Sequence, residues 1–374
     1  MKKALLISNV TNRFTNFIIP SIEVLNEMGY EVYTCANYTN FNDDKDKYSV
    51  KMHHIDFQRN PFNLKNIRAY KQLLKLMKDE KFDIVHYNTP IGGLLGRICA
   101  KKAKVPKVIY TAHGFHFFEG NNKMKNFIYK TIEKWLAKYT DAIITINEED
   151  YQAAQKFKLR NDGSVYKVNG VGIDISEFEN VNIDIRKKRE ELGIKESDKV
   201  LISIGDVNKN KNTDLLIDII YKCNNKNLKC LICGKGDQIE ILKHKICNLK
   251  LESQILFLGF RNDIKELLKV SYIYISTSKR EGLPRALMEA MASGLPCVVS
   301  NIRGNRDLIE NDKNGYCCNK IEEYVDAINS LIESEDKTYE FTKKNLEVIK
   351  NYDFKKVKNE IRVIYNELDG NKEI

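Results

Sequence analysis

A strand–helix alternation that runs twice along the chain restricts its fold more than any other feature. The first pass opens with the apolar run Ala4–Asn9 and a helical pattern over Phe17–Met28 that stops at Gly29. Periodicity then predicts strands at Tyr30–Ala36, Phe82–His86, Lys107–Thr111 and Ala142–Asn147. Helices are predicted between them at Leu64–Met77, from Gly93 to about Lys104, and at Lys123–Tyr139. The second pass predicts strands at Val200–Gly205, Lys229–Cys233, Ile255–Leu258, Tyr272–Ser276 and Cys297–Ser300. Helices at Thr213–Lys222 and Arg285–Ala292 fall among them. Such alternation implies a parallel sheet wrapped by helices on both faces, with ligands beyond the carboxyl ends of the strands. A chain of 374 residues is long for one core, so two α/β domains are expected. The glycine-marked turn Val168–Asp174 and the charged run Arg186–Glu190 set the boundary. The expected division is 1–170, 171–352, and a C-terminal helix and tail at 353–374 that is a candidate to cross back to the first domain.

Charge narrows the partners. Residues 1–170 hold 27 Lys and Arg against 17 Asp and Glu, and the remainder of the chain is balanced, so the whole net charge of +10 lies in the first half. A basic half suits nucleic acid, membrane lipid or a phosphorylated substrate, and it also suits ordinary solvation. No apolar run approaches the length of a membrane span. The apolar part of the N-terminus is too short for a signal peptide and reads as a strand. The nine cysteines are scattered without zinc spacing, which points to free thiols in a reducing cytosol.

Chemistry concentrates in Lys279–Arg306. Glu281 and Glu289 stand eight positions apart across the turn Gly282-Leu283-Pro284. Proline just inside a helix start and Gly294 just past its end punctuate the helix between. Glu281 therefore belongs to the loop, and Glu289 lies two turns in, on the face of Arg285. A carboxylate accepts two hydrogen bonds and suits vicinal hydroxyls, and a helix N-terminus is an anion seat. Read residue by residue, the pair is either a clamp for a sugar diphosphate or two unrelated charges.

Together, Glu281, the Gly-Leu-Pro turn and Glu289-Ala-Met-Ala-Ser-Gly-Leu-Pro296 closely resemble the signature of family-4 retaining glycosyltransferases of the GT-B fold. The resemblance covers nearly the whole chain. It implies two Rossmann-like, doubly wound domains facing across a cleft, with a nucleotide-sugar in the second. By resemblance, Glu289 bonds the nucleotide ribose, Glu281 contacts the donor sugar, and the backbone N–H groups after Gly282, around Leu283 to Leu287, meet the diphosphate at the turn that Pro284 closes. The loop Ser203–Asn212 resembles the diphosphate loop of that family, with Gly205 at its start and Lys211 on the leaving phosphates. A cation there would stabilise the charge that develops on a departing nucleoside diphosphate. The family usually has arginine where this chain has Asp206, which leaves Lys209 or Arg280 as the substitute. Gly234 stands where the family binds the base, and Phe260 or Arg261 stands on the loop that edges that pocket.

In the first half, His113 matches a family histidine near donor sugar and acceptor, with His116 close by. His86, Thr89, Gly92 and Gly93 fall in a stretch similar to that of a subgroup building bacterial capsules, exopolysaccharides and lipid-linked glycans. They are expected on the acceptor side, where glycine would let the backbone approach the acceptor. The helix around Lys123–Lys138 has an apolar face of Met124, Phe127, Ile128, Ile132, Trp135 and Leu136, opposed by Lys130, Lys134 and Lys138. It is either a core helix or one that lies on an anionic bilayer.

The implied function is transfer of a sugar, with retention, from a UDP-sugar to a glycan or polyprenyl-diphosphate-linked sugar. No metal or other cofactor is expected and no nucleic-acid partner. The expected location is cytoplasmic or peripheral on the inner face of the membrane. The rival readings are a nucleotide-sugar epimerase of the same fold and a non-catalytic nucleotide-sugar or nucleic-acid binder.

Overall fold

A computed structural model of the chain describes residues 1–44, 46–60 and 63–370. These residues form two compact units, Met1–Gly172 joined by the C-terminal segment from Phe354, and Ile173–Asp353. The tail is thus not a third segment. It is a helix of the first unit, the position for which the sequence made it a candidate.

The first unit is built on seven strands: β1 (Lys3–Val10), β2 (Glu31–Asn37), β3 (Lys51–His54), β4 (Ile84–Tyr87), β5 (Lys107–Ala112), β6 (Ala142–Thr145) and β7 (Ser164–Lys167). They are all parallel, in the order β3-β2-β1-β4-β5-β6-β7. Helices α1 (Ile19–Glu27), α2 (Lys65–Glu80), α3 (Pro90–Ala103), α4 (Lys123–Ala137) and α5 (Glu148–Ala154) accompany it. β4 and β6 are buried at every residue because helices cover both faces, which is why they are continuous apolar runs rather than alternating ones. Side-chain caps start two of the helices: Asn122 accepts from the N–H groups of Met124 and Lys125, and Asn147 from that of Asp150.

The second unit repeats the plan with β8 (Lys199–Ile204), β9 (Leu228–Cys233), β10 (Ile255–Gly259), β11 (Ile273–Ser276), β12 (Cys297–Ser300) and β13 (Gly315–Cys318). Their order is β10-β9-β8-β11-β12-β13. Its helices are α6 (Ser176–Glu179), α7 (Ile185–Glu191), α8 (Thr213–Cys223), α9 (Ile239–Asn248), α10 (Ile264–Val270), α11 (Arg285–Ala292), α12 (Asn305–Leu308), α13 (Ile321–Glu333) and α14 (Glu335–Val348). Two apolar clusters fill its interior, one including Leu287, Met288 and Met291 of α11, the other Leu216 and Ile220 of α8. The charged run Arg186–Glu190, used to mark the boundary, lies in helix α7.

In both units the strand order reverses direction beside the first strand. The switch point lies between β1 and β4 in one and between β8 and β11 in the other. Loops part there, leaving a crevice at the carboxyl ends where ligands bind.

Helix α15 (Phe354–Asp369) closes the first unit against α1. Lys358 bonds Glu23 at 2.6 Å and Glu27 at 2.8 Å, and Arg362 also pairs with Glu27. Glu360 accepts from the backbone and side-chain nitrogens of Asn169, each at 2.9 Å. Its inner face buries Val357, Ile364 and Tyr365.

Candidate active site

At the switch point of the second unit, the loop after β8 is stitched to the loop after β11. Asn208 Oδ1 accepts from the N–H groups of Asn210 (2.9 Å) and Lys211 (3.0 Å), forming a tight local turn. The Thr277 hydroxyl lies within hydrogen-bond reach of the carbonyls of Lys211 and Asn212, at 3.1 and 3.0 Å. The Lys279 N–H donates to the Asn210 carbonyl at 2.8 Å, and Asn210 Nδ2 to the Arg280 carbonyl at 3.0 Å. These bonds carry Lys211 to Glu281: Nζ and Oε1 are 2.7 Å apart, with both side chains partly exposed.

Glycine makes this approach feasible. Gly205 has φ +144°, and a Cβ there would stand 2.9 Å from Lys211 Cε. A Cβ on Gly234 would meet the Gly205 carbonyl oxygen at 1.9 Å, and one on Gly236 the Val207 oxygen at 1.9 Å. Gly234 therefore serves the site by letting the β9 loop lie backbone to backbone against the β8 loop.

Helix α11 begins beside this pair. Its N-cap is Pro284, which has no side chain able to cap, and the first helical bond runs from Met288 N to the Pro284 carbonyl. The N–H groups of Arg285, Ala286 and Leu287 thus have no partner within the helix, which is the usual condition of a first turn and the basis of an anion seat. The Leu287 side chain is fully buried, so any contribution it makes to a ligand comes from its backbone. Glu289 sits one turn further on, with Arg285 Nε donating to its Oε1 at 2.8 Å. Burial pushes the Glu289 carboxyl above its usual range, and Arg285 works against that shift.

A second cation reaches the turn that the motif does not announce. Arg303, 4% exposed, donates from Nε to the Glu281 carbonyl at 3.2 Å. Next to it, Gly304 (φ +82°) lies so close to the turn that a Cβ would be 2.5 Å from the Gly282 oxygen. The Arg-Gly pair directly after the loop of β12 was the available signal. Lys209 and Asp206 are exposed on the β8 loop. Arg261 is held by Asp263 on its own loop, with Nε donating at 2.7 Å, and Arg261 keeps the Asp263 carboxyl well below its usual range.

In the first unit the switch-point crevice is lined by Asn16, Phe17, Asn88, Thr111, His113 and Gly170 among others. Both ring nitrogens of His113 are screened from solvent and have no hydrogen-bond partner among the described residues, as is also true of Asn88 Nδ2 and Thr89 Oγ1. Phe17 meets the His113 ring edge-on at 4.7 Å. Burial pushes the His113 imidazole down to about 4, so it is neutral at pH 7. His116 packs near Tyr129, with ring centroids 5.3 Å apart, and its carbonyl accepts from Asn121.

Three residues expected on the acceptor side have partners within their own unit. His86 is 1% exposed, with Nδ1 2.6 Å from the Tyr365 hydroxyl and Nε2 2.7 Å from that of Thr111. Both nitrogens are occupied, so His86 ties α15 to the sheet and does not meet an acceptor. Gly92 and Gly93 approach their own sheet instead. Gly92 N donates to Asn9 Oδ1 at 2.8 Å, and a Cβ on Gly93 would be 2.9 Å from the Tyr110 ring. Thr89 stays at the switch point as the N-cap of α3.

Burial pushes His86 down to about 3. Its unfolded value is about 6.5, so the folded state disfavours the proton. Its contribution to stability is full above that value and is lost as pH falls from about 6.5 towards 3. Urea unfolding at pH 5 is expected to show about 2 kcal/mol less stability from this group than at pH 7.5. A His86→Gln chain is expected to lose that part of the pH slope. An equal slope in both proteins would refute the assignment.

Two family descriptions match the chain: "Glycosyl transferase 4-like" over residues 3–147 and "Glycosyl transferases group 1" over residues 184–348. EpsD of Bacillus subtilis (strain 168), which carries a glycosyltransferase name, is 36% identical over 321 residues, covering 84% of this chain and 83% of its own. An Escherichia coli protein named UDP-Gal:alpha-D-GlcNAc-diphosphoundecaprenol alpha-1,3-galactosyltransferase is 32% identical over 323 residues, with 84% and 83% covered. Among solved structures, Anabaena Alr3699/HepE, in complex with UDP and glucose, superposes with a TM-score of 0.80 at 19% identity, over 98% of this chain and all of that one. Sequence identity over most of both chains, together with paired Rossmann-like units, makes this protein a glycosyltransferase of the GT-B fold, belonging to the group 1 and 4-like family.

Proposed function

We propose that the protein is a retaining glycosyltransferase that moves a sugar from a UDP-sugar to a polyprenyl-diphosphate-linked glycan during surface polysaccharide synthesis, as a peripheral enzyme on the inner face of the cell membrane. The observation that carries this reading is the Lys211–Glu281 pair at 2.7 Å beside the uncapped start of α11. A lysine ammonium has three donors, so bonding Glu281 leaves two for phosphate oxygens. Lys211 and the N–H groups of α11 together would hold the diphosphate and stabilise the charge that develops as it leaves. In this reading these groups carry that charge without a metal. The second oxygen of Glu281 would accept from a sugar hydroxyl, and Glu289 from the ribose. Neutral His113 would hydrogen-bond a sugar hydroxyl. Retention follows from departure and attack on one face, with the leaving diphosphate taking the acceptor proton.

The names and titles of relatives support the donor and acceptor classes: UDP with HepE, and UDP-galactose with a diphosphoundecaprenol acceptor for the Escherichia coli enzyme. The test is protection against thermal unfolding by UDP, GDP and their sugars, followed by NMR of the transferred anomeric centre. UDP at a hundred times its dissociation constant is expected to stabilise the protein by about 2.7 kcal/mol. Protection by GDP alone, or an inverted product, would defeat the donor assignment or the stereochemistry respectively. Turnover of donor to an epimer without acceptor would overturn the transferase reading itself.

A further inference from the structure

Two cations hold Glu281, one at each end of the residue. Lys211 Nζ stands 2.7 Å from the carboxylate. Arg303 Nε donates to the backbone carbonyl at 3.2 Å. Among the described residues, Arg303 is the one hydrogen-bond partner of that carbonyl. Arginine is almost never buried unless it is paired, and Arg303 is buried on this turn.

The loop that carries Arg303 is firmly built. Its start is tied to β13, where Asn301 N donates to the Cys318 carbonyl at 2.9 Å. Asn305 Nδ2 donates to the Ser300 carbonyl at 2.9 Å, and Gly304 N to Asp307 Oδ2 at 3.1 Å. The Tyr352 hydroxyl donates to the Asp307 carbonyl at 3.0 Å. Leu308 is sunk in the same apolar cluster as Leu287 and Met288 of α11.

The turn it supports has little to fix it from within. The Glu281 carbonyl and the Gly282 N–H belong to one peptide plane, in which they point opposite ways. Glycine accepts either sign of φ, so a peptide plane beside it rotates at little cost. Rotation would carry the Glu281 carbonyl off Arg303, turn the Gly282 N–H over, and swing the backbone that bears the carboxylate. Lys211 cannot prevent this, because an ammonium on a flexible four-carbon stem follows the carboxylate where it goes. Arg303 is set in a packed loop and does not follow.

We propose that Arg303 is a positioning residue of the donor site: its Nε fixes the Glu281–Gly282 peptide and, through it, the aim of the Glu281 carboxylate. The proposal rests on the reading of Glu281 as the donor-sugar contact and names what holds that residue in place.

Arg303→Ala should lower kcat for sugar transfer about a hundredfold, as a displacement of about 1 Å at a reacting centre does. UDP should bind within a few-fold, because the N–H groups of α11 keep their places. Arg303→Lys keeps the charge but puts a methylene where Nε stands, and should lose roughly tenfold. Millimolar guanidinium should restore part of the Arg303→Ala loss. Urea at the same concentration, with the same shape and no charge, should not. In Glu281→Gln, adding Arg303→Ala should cost little more, since the residue it acts through is already changed. Hydrogen exchange without ligand should quicken over 281–287 in Arg303→Ala. An Arg303→Ala chain whose loss is undiminished in Glu281→Gln would overturn the proposal. So would unchanged exchange over 281–287, or recovery with urea equal to that with guanidinium, which would make Arg303 a packing residue. If Arg303→Ala does not fold, Arg303→Lys carries the same rate and exchange measurements. If the unmodified chain transfers sugar and Arg303→Ala does so equally, the proposal falls and the transferase reading stands. If the unmodified chain neither binds UDP nor transfers sugar, the UDP-sugar reading falls, and exchange at the turn still decides the hold of Arg303 on it.

Discussion

Replacing Glu281 by glutamine is expected to lower sugar transfer by two to three orders of magnitude, and Lys211→Ala to do the same. The two side chains form one device, with Nζ 2.7 Å from Oε1 at the start of α11. Removing either changes both, because the carboxylate positions the ammonium and the ammonium holds the carboxylate. The double substitution is therefore expected to be little worse than either single one. Binding separates their parts. Lys211→Ala should weaken UDP itself, since it removes a charge from the phosphates. Glu281→Gln should leave UDP affinity within a few-fold, because its partner is the sugar. The measurements are transfer from a UDP-sugar to a polyprenyl-diphosphate sugar, and calorimetry with UDP. Transfer by Glu281→Gln at the unmodified rate would remove this residue from the catalytic group.

Arg97→Met should cost about 3–5 kcal/mol of stability. Arg97 is fully buried, donating from Nε to the Gly93 carbonyl at 2.8 Å and from Nη2 to Glu133 at 2.9 Å. Its guanidinium also lies over the Tyr110 ring, 4.2 Å from the centroid. Methionine roughly fills the volume but leaves Glu133 without its partner, and the unpaired charge is the main penalty. Adding Glu133→Leu should restore much of the loss, because replacing both members of a buried pair is often nearly neutral. Equilibrium urea unfolding of the two variants tests this, with Trp135 as a probe on α4 itself. An Arg97→Met chain within 1 kcal/mol of the parent would show that the pair does not anchor the helix.

The fold was legible because its core strands are covered on both faces. β4, β6, β11 and β12 are buried at every position and read as short apolar runs bounded by turns. The edge strands β3 and β7 were not legible. Their sequences, Lys-Met-His-His and Ser-Val-Tyr-Lys, have exposed ends and half-buried middles, so no apolar period marks them. The donor side was legible because it is local: Glu281, the turn and Glu289 lie within nine residues, and helix geometry alone sets their relation. Arg303 was harder, because only the close packing of Gly304 on Gly282 brings it to that turn.

His86 shows the limit most clearly. It closes the expected strand Phe82–His86 and precedes a glycine pair, which is as fitting for a ligand contact as for a core residue. Its role was settled by Tyr365, 279 residues away, which occupies one of its ring nitrogens. Helix α4 shows the same limit from the other side. Periodicity establishes that a helix has an apolar face, but which way that face turns depends on where α3 and the 117–119 segment stand and which side they hold. From its sequence alone, this chain determined two doubly wound sheets, the switch-point loops and the Glu281–Glu289 helix, all consequences of short-range pattern. Tertiary structure alone decided how α15 packs on α1, that His86 is sealed beneath it, and that the stripe of α4 faces outward. Those outcomes depend on contacts between segments far apart in the chain, and no local period encodes them.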